Sequence, residues 1–116
     1  MPITSLDHIY VETRDWDAGI AFWRGIGFAF SDTWGGEGHR AARLVAGEAT
    51  VVLAEIDGAK QPEFDVFFKL EDADDFESAG AVEVDQALKG THWGTRWIRV
   101  RDPEGRIFCL EETPEE

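Results

Sequence analysis

The stretch DHIYVETRDWDAGIAFWRGIG, residues 7–27, decides the fold because a strand pattern runs directly into a helix pattern. Residues 7–12 place polar and apolar side chains on alternate faces, as a half-buried strand does. Asp15 is the predicted N-cap of the helix, and large apolar side chains recur at positions 16, 20 and 23, on one helix face. Glycines at 25 and 27 end the helix, since glycine tolerates the left-handed conformation of many helix C-termini.

Further strand patterns extend from this stretch toward the C-terminus. Three of them complete a first βαβββ module over residues 3–56, and residues 57–62 have the polar, glycine- and proline-containing composition of a linker. A second module follows over residues 63–112, with a short helix that begins after the capping Asp72 and ends at Gly80. The strands predicted beyond the first are residues 28–31, 40–45, 50–55, 64–70, 81–86, 97–101 and 106–112.

The two modules repeat each other in sequence. His8 precedes the first cap, Asp15, by seven residues, and Asp65 precedes the second cap by the same seven residues. An internal repeat of a whole supersecondary unit is a more specific signal than the propensity of any single segment. The sequence therefore predicts an α+β fold in which two tandem βαβββ modules form one domain over residues 1–116.

The charge of the chain limits its partners. There are 24 acidic and 11 basic residues, for a formal net charge of −13. Nucleic acid is a poor partner for such a chain, because binding to phosphate backbones depends on Lys and Arg. An acidic binding site would favour a cationic ligand, although acidic surfaces also serve only to keep proteins soluble.

Other features indicate the compartment. No apolar run approaches the ~20 residues that a membrane span needs, so we expect no membrane partner. The first residues lack the basic and apolar regions of a signal peptide. The single cysteine, Cys109, excludes an internal disulfide and suits a reducing compartment. We therefore expect a cytoplasmic protein.

Two phrases, one toward each end of the chain, carry a family resemblance. LDHIYV at residues 6–11, with AFW at 21–23 in the helix and GF at 27–28 where the helix ends, looks like the family's opening strand and helix. WGTR at 93–96 followed by RDPEGR at 101–106 is similar to a "WG…DPdGn" closing signature and is the more specific phrase. Together they resemble the vicinal-oxygen-chelate superfamily of glyoxalases, dioxygenases and bleomycin- and fosfomycin-resistance proteins. The resemblance covers essentially the whole chain and implies a cup of eight strands and a homodimer.

The resemblance also implies positions for a divalent metal. Family enzymes bind it with His, Glu or Gln from the first and last strands of each module, and the corresponding residues here are His8, Val51, Asp65 and Cys109. Valine has no donor atom, and a thiolate is softer than the usual carboxylate. We therefore expect no metal cofactor. The alternative is a Zn or Mn site of His8, Asp65 and Glu111, since Glu111 shares the strand face of Cys109.

Aromatic and charged side chains are the candidate ligand contacts. Trp34 lies beside a glycine-rich turn, and Trp93 begins the WG phrase, which resembles a groove-forming loop of bleomycin-resistance proteins. Both rings could stack on a ligand, or close the core edge or a dimer seam instead. Arginines at 96, 99, 101 and 106 could meet an anionic group or pair with neighbouring acids. The predicted ligand-binding residues are His8, Tyr10, Trp34, Asp65, Phe67, Trp93, Trp97, Cys109 and Glu111.

These features favour a binding protein over an enzyme. We expect the cup to hold a small aromatic or cationic molecule without a catalytic metal, as antibiotic-sequestering members of the superfamily do, and no residue is predicted to be catalytic. Two alternatives stay open: a metal-dependent lyase, isomerase or dioxygenase of glyoxalase type, and a subunit that binds another protein through its sheet. The predicted partners are thus a small molecule and a second copy of the chain.

Overall fold

Residues 3–75, 83–91 and 93–112 are described by the computed structural model of the protein. Within these ranges the chain forms eight strands, one α-helix and one short 3-10 helix. The strands are β1 (Ile3–Thr13), β2 (Ala29–Trp34), β3 (Ala41–Ala46), β4 (Ala49–Glu55), β5 (Phe64–Leu70), β6 (Glu83–Gly90), β7 (Arg96–Arg101) and β8 (Ile107–Glu112); the helix α1 is Trp16–Gly25, and the 3-10 helix is Ala73–Asp75.

The elements fall into two compact units. The first unit is His8–Phe64, and the second unit combines Met1–Asp7 with Asp65–Glu116. Each contains four strands in the predicted succession, so the α+β class and the order of the elements are confirmed. The single-domain boundaries and the linker at 57–62 stay predictions.

The first unit is built around a core that α1 covers. Its strand order is β2-β3-β4-β1, with antiparallel pairs except for β1 and β4, which are parallel. Apolar side chains of the helix pack against the buried strand residues, because the helix presents one apolar face. The core consists of Ala42, Leu44 and Leu53, with Val11, Trp16, Ile20, Trp23 and Phe28 against it. The predicted core face of the helix is therefore confirmed.

Both predicted ends of α1 are confirmed. The Asp15 carboxylate accepts a hydrogen bond from the backbone N–H of Ala18 at 3.1 Å, which satisfies a donor that the first turn leaves unpaired. After the helix, Gly27 has a φ of 114°, a conformation that disfavours residues with a Cβ. No helix within the described ranges is long and apolar enough to cross a membrane.

The second unit repeats this plan with less helix. Its strand order is β5-β8-β7-β6, again with one parallel pair, β5 and β8. The Asp72 carboxylate accepts from the backbone N–H of Asp74 at 3.0 Å, as a cap does, and the 3-10 helix follows. The predicted helix end at Gly80 lies outside the described residues. The core contains Leu70, Ala73, Ile98 and Leu110, with Ile3, Phe68 and Val100 packed against it.

The predicted end of one strand of the second unit is wrong. β6 continues to Gly90, whereas its predicted end was Gln86. Its pairing with β7 shifts register between Val84 and Gln86 and again between Gln86 and Lys89. Such bulges interrupt the two-residue alternation from which a strand is recognised, so the second half of β6 does not show the pattern.

Candidate functional site

The sheet of the second unit has a face opposite its core. Leu110 and Ile98 belong to the core, and successive side chains of a strand point to opposite faces. The residues next to them in β7 and β8 therefore share the other face. We call this surface the aromatic face, and it carries Phe67 of β5, Trp97 and Arg99 of β7, Cys109 and Glu111 of β8, and Trp93 from the loop before β7.

Three of these side chains form a row of aromatic rings. Phe67 and Trp97 are stacked, with ring centroids 5.8 Å apart and an interplanar angle of 17°. Trp93 meets Trp97 edge to face at 5.6 Å and 82°. Phe67 is 6% exposed and Trp93 is 50% exposed. Phe67 is thus buried within the row, whereas Trp93 is half exposed.

The indole of Trp93 is held in place by a buried carboxylate. Glu111 is only 5% exposed, and its Oε2 accepts hydrogen bonds from Trp93 Nε1 at 2.7 Å and from the Thr95 hydroxyl at 2.8 Å. A buried carboxylate needs such donors, because burial without them is costly. The sequence predicted Trp93 and Glu111 as site residues, and the structure brings them together.

The loop that carries Trp93 is closed by two threonines that were not among the predicted site residues. The Thr91 N–H donates to the carbonyl of Thr95 at 2.8 Å, and the Thr95 N–H donates to the Thr91 hydroxyl at 3.0 Å. Gly94 between them has a φ of 95°. In the sequence, two threonines on either side of a glycine are the pattern that could have indicated this tight turn.

The four arginines of the predicted cluster differ in their contacts. Three of them pair with acidic side chains of the same unit: Arg96 with Asp74 and Glu112, Arg101 with Glu83 and Asp85, and Arg106 with Asp102. Arg99 instead places its guanidinium carbon 5.7 Å from the ring centroid of Trp97. Within the described residues, no carboxylate forms an ion pair with it.

The strand registers show how the two modules correspond. In the first unit, Ile9 of β1 lies beside Val51 of β4, and in the second unit Phe67 of β5 lies beside Cys109 of β8. Phe67 follows Ile9 by 58 positions, and Cys109 follows Val51 by the same 58. The first and last strands of the two modules are therefore related by the same offset in sequence.

This register changes one of the matches made from the sequence. With the same offset, Asp65 corresponds to Asp7, and His8 corresponds to Val66. The sequence matched His8 with Asp65 because each precedes its helix cap by seven residues. By strand register this match is shifted by one residue. A shift of one residue in a strand moves a side chain to the other face.

Two of the implied metal positions do not fit a metal. Val51 is 2% exposed and has no donor atom. Burial raises the pKa of the Cys109 thiol to about 12, and the nearby charges of Asp65 and Glu111 add to the effect more than Arg99 opposes it. A thiol binds a metal as the thiolate, which this environment disfavours.

A pair of carboxylates fits a cation better. One carboxylate oxygen of Asp7 and one of Glu111 lie within 4.8 Å of each other. Oxygen donors suit hard divalent ions, and the hydrogen bonds from Trp93 and Thr95 would orient Glu111 as a ligand. Asp7 was not among the predicted site residues, and the register match above is the signal that points to it.

The remaining predicted residues belong to the first unit. His8 and Tyr10 are half-buried on β1, and the Tyr10 hydroxyl donates to Glu12 Oε2 at 3.2 Å. Trp34 ends β2 and is 48% exposed, opposite Ala41 of β3. Their part in ligand binding stays a prediction.

Solved structures show which class of fold this is. The chain is similar to methylmalonyl-CoA epimerase from Mycobacterium tuberculosis, with a TM-score of 0.67 and 16% identity over 97% of this chain and 90% of that one. It is similar to a hypothetical protein from Bacillus halodurans C-125, with a TM-score of 0.71 and 14% identity over 96% and 95%. No protein-family model and no curated protein sequence matches the chain.

A third similarity names the class directly. A glyoxalase/bleomycin resistance protein/dioxygenase superfamily member from Vibrio splendidus 12B01 matches with a TM-score of 0.60 and 16% identity over 90% of this chain and 96% of that one. The chain therefore has the fold of the vicinal-oxygen-chelate superfamily, as its closing phrase predicted. Because the identities are low, this similarity establishes the fold and not an activity.

Proposed function

We propose that the protein binds a small planar aromatic molecule at the aromatic face, stoichiometrically and without a catalytic metal. The observation that carries the proposal is the state of Trp93. Its ring is half exposed, and its indole N–H is held by the buried Glu111.

An exposed but fixed indole is suited to stacking on a flat ligand. Large aromatic rings contribute much buried area, and ring pairs are worth ~1 kcal/mol beyond that area. The hydrogen bond to Glu111 removes freedom from the ring before a ligand arrives, so less ordering is needed on binding. Phe67 and Trp97 behind it give the ring a rigid support.

A neutral aromatic probe tests this proposal. Naphthamide should bind in calorimetry with one site per chain, and Trp93→Ala should weaken binding about fivefold or more, since the stacked ring is lost. Trp93→Phe should weaken it less, because a smaller ring remains. Leu88→Ala, which removes an exposed apolar side chain from β6 of the same unit, is the matched control and should change nothing. Equal weakening by Leu88→Ala, or none by Trp93→Ala, would exclude this face.

Antibiotic sequestration is the biological form of this proposal that we favour. A binder that keeps its ligand without converting it lowers the free concentration of that ligand in proportion to the protein present. Expression in a sensitive bacterium should therefore raise the growth-inhibitory concentration of a planar aromatic antibiotic that the purified protein binds. The protection should be lost with Trp93→Ala, and protection by that variant equal to the unchanged protein would refute sequestration at this face.

The second candidate is a metal-dependent lyase of glyoxalase type. The observation that favours it is the approach of the Asp7 and Glu111 carboxylates, which both belong to the second unit. A bound Zn or Mn would polarise substrate oxygens for proton transfer. Calorimetry with Mn²⁺ and Zn²⁺ should then give about one ion per chain. Binding should be lost in Glu111→Gln and weakened in Asp7→Asn, with Glu104→Gln in the turn before β8 as control.

A further inference from the structure

Arg99 occupies the middle of the aromatic face. It lies on β7 between Gln86 of β6 and Cys109 of β8. Its guanidinium lies over the ring of Trp97, at 5.7 Å from the centroid. A cation over an aromatic face is attracted by the ring, which holds the arginine head beside the row of rings.

One hydrogen-bond donor of this arginine, Nε, has no acceptor within the part of the chain that the structure describes. This atom is buried from solvent. Buried donors are nearly always paired, so an unpaired one calls for an explanation such as a ligand or a water. The residue as a whole is only half-buried, so part of its side chain is open to an approaching group.

The neighbouring arginines show that acidic partners are available in this unit. Arg101, two residues further on the same strand, pairs with Glu83 and Asp85. Arg96 pairs with Asp74 and Glu112. Of the four arginines in the described part of the second unit, Arg99 is therefore the one that forms no ion pair with an acidic side chain.

From this we infer that Arg99 binds the carboxylate of an aromatic carboxylic acid whose ring stacks on Trp93. The inference rests on the proposed function, which supplies the aromatic ring of the ligand, and it adds that the ligand carries a negative charge. A guanidinium presents two N–H groups in a planar fork that matches the two oxygens of a carboxylate. The Trp93 ring and the Arg99 guanidinium both contact the Trp97 ring, at 5.6 and 5.7 Å from its centroid, so we assign both to one ligand.

A carboxylate suits this place better than a doubly charged phosphate. Asp65 and Glu111 act on the same thiol as Arg99, and the whole chain carries −13. One arginine in such a field offsets one negative charge, and a second charge on the ligand would meet repulsion. The net charge alone favours cations at long range, whereas the unpaired donor acts at contact. The net charge therefore predicts a preference for a cationic ligand, and the unpaired donor of Arg99 predicts a preference for an anionic one.

Three probes of one shape separate these expectations. Naphthoate, naphthamide and naphthylmethylammonium share the ring system and differ in charge. In calorimetry, naphthoate should bind about tenfold more tightly than naphthamide, as a hydrogen bond between charged groups predicts. Arg99→Met should bring that ratio near one. Arg99→Lys should keep part of it, since a lysine retains the charge without the planar fork. Arg101→Met, on the same strand, is the matched control and should leave the ratio unchanged.

A direct signal from the arginine accompanies the affinities. In a nitrogen–proton correlation spectrum, the side-chain Nε–H signal that disappears in Arg99→Lys should shift on addition of naphthoate and stay in place with naphthamide. The same spectrum confirms that the variant is folded, because the remaining signals keep their positions. A shift with naphthamide of the same size would contradict recognition of the carboxylate.

The possible outcomes distinguish this inference from the proposed function. If naphthoate and naphthamide bind equally and both depend on Trp93, the inference is wrong and the proposed function stands. Tightest binding of naphthylmethylammonium, or an equal loss of the naphthoate preference in Arg101→Met, also refutes the inference. If no probe binds, the inference and the proposed function are both refuted.

Discussion

Trp93 and Glu111 are joined by a 2.7 Å hydrogen bond from the indole N–H to Oε2, across 18 positions of sequence. The contact links the loop before β7 to the last strand of the second unit. Because the Thr95 hydroxyl donates to the same oxygen at 2.8 Å, Glu111 organises both the exposed ring and the turn that carries it. The same carboxylate therefore supports the fold and shapes the candidate site.

Removal of this carboxylate should destabilise the second unit. Glu111→Ala removes the acceptor shared by the Trp93 N–H and the Thr95 hydroxyl, and a hydrogen bond to a charged group contributes about 1.5–3 kcal/mol to the unfolding free energy. Urea unfolding measures the loss, and combination with Trp93→Phe in a double-mutant cycle isolates the indole contact. Glu104→Ala, in an exposed turn, should change the unfolding free energy little. Additive effects of the two variants would show that the contact contributes nothing.

Much of the fold was predictable because its signals are local. Asp15 and the apolar positions of α1 indicate where the helix begins and which face it buries, and both depend on neighbours in sequence. The extent of β6 was not predictable, since its bulges arise from pairing with β7. A local pattern cannot reveal a register that a distant strand imposes.

The candidate site was predictable in residue type more than in arrangement. Trp93 was recognised from the closing phrase, Glu111 from its place on the strand face of Cys109, and Trp97 was among the predicted ligand contacts. The structure places the three together. The correspondence of Asp65 with Asp7 and the unpaired Nε of Arg99 depend on strand register and on which acids pair elsewhere. These are long-range properties, so composition and spacing could not supply them.

Cys109 should be an unreactive thiol in the native protein. Burial raises its pKa to about 12 from an ordinary 9.0, so the thiol stays protonated at neutral pH, and the thiolate is the nucleophile. We expect iodoacetamide to label it slowly in buffer and rapidly in concentrated urea, with mass spectrometry as the readout. Because the folded state holds this proton more tightly, stability should fall as the pH rises from about 9 toward 12. Native labelling as fast as that in urea would contradict the burial.

A homodimer stays our prediction for the state in solution. Phe22 in the last turn of α1 and Ile26, the residue that follows the helix, are each 58% exposed in the single chain. Light scattering at tens of micromolar should give twice the chain mass of 13.0 kDa. Since each chain carries −13, salt should strengthen the dimer by screening repulsion. A monomer at every salt concentration would contradict this prediction.

The first unit should lose stability in acid through one ion pair. Glu55 of β4 accepts hydrogen bonds from Arg40 Nε and Nη2, both at 2.9 Å, and Arg40 also lies 5.4 Å from the ring centroid of Trp16. The side-chain hydrogen bond to Arg40 is the main cause that lowers the pKa of Glu55 from 4.5 to about 2. The pair thus connects the helix to the sheet through a charge that acid removes.

The sign of the effect follows from the lowered pKa. A carboxylate whose pKa falls on folding stabilises the protein above its unfolded pKa, and the contribution disappears as the pH falls toward the folded value. Glu55→Gln should therefore melt at a lower temperature than the unchanged protein near pH 6, and the two should converge by about pH 2. Melting temperatures by circular dichroism give this comparison. Glu48→Gln, in the exposed turn between β3 and β4, should follow the unchanged protein throughout, and a constant difference for Glu55→Gln down to the lowest pH would show that its charge is not the cause.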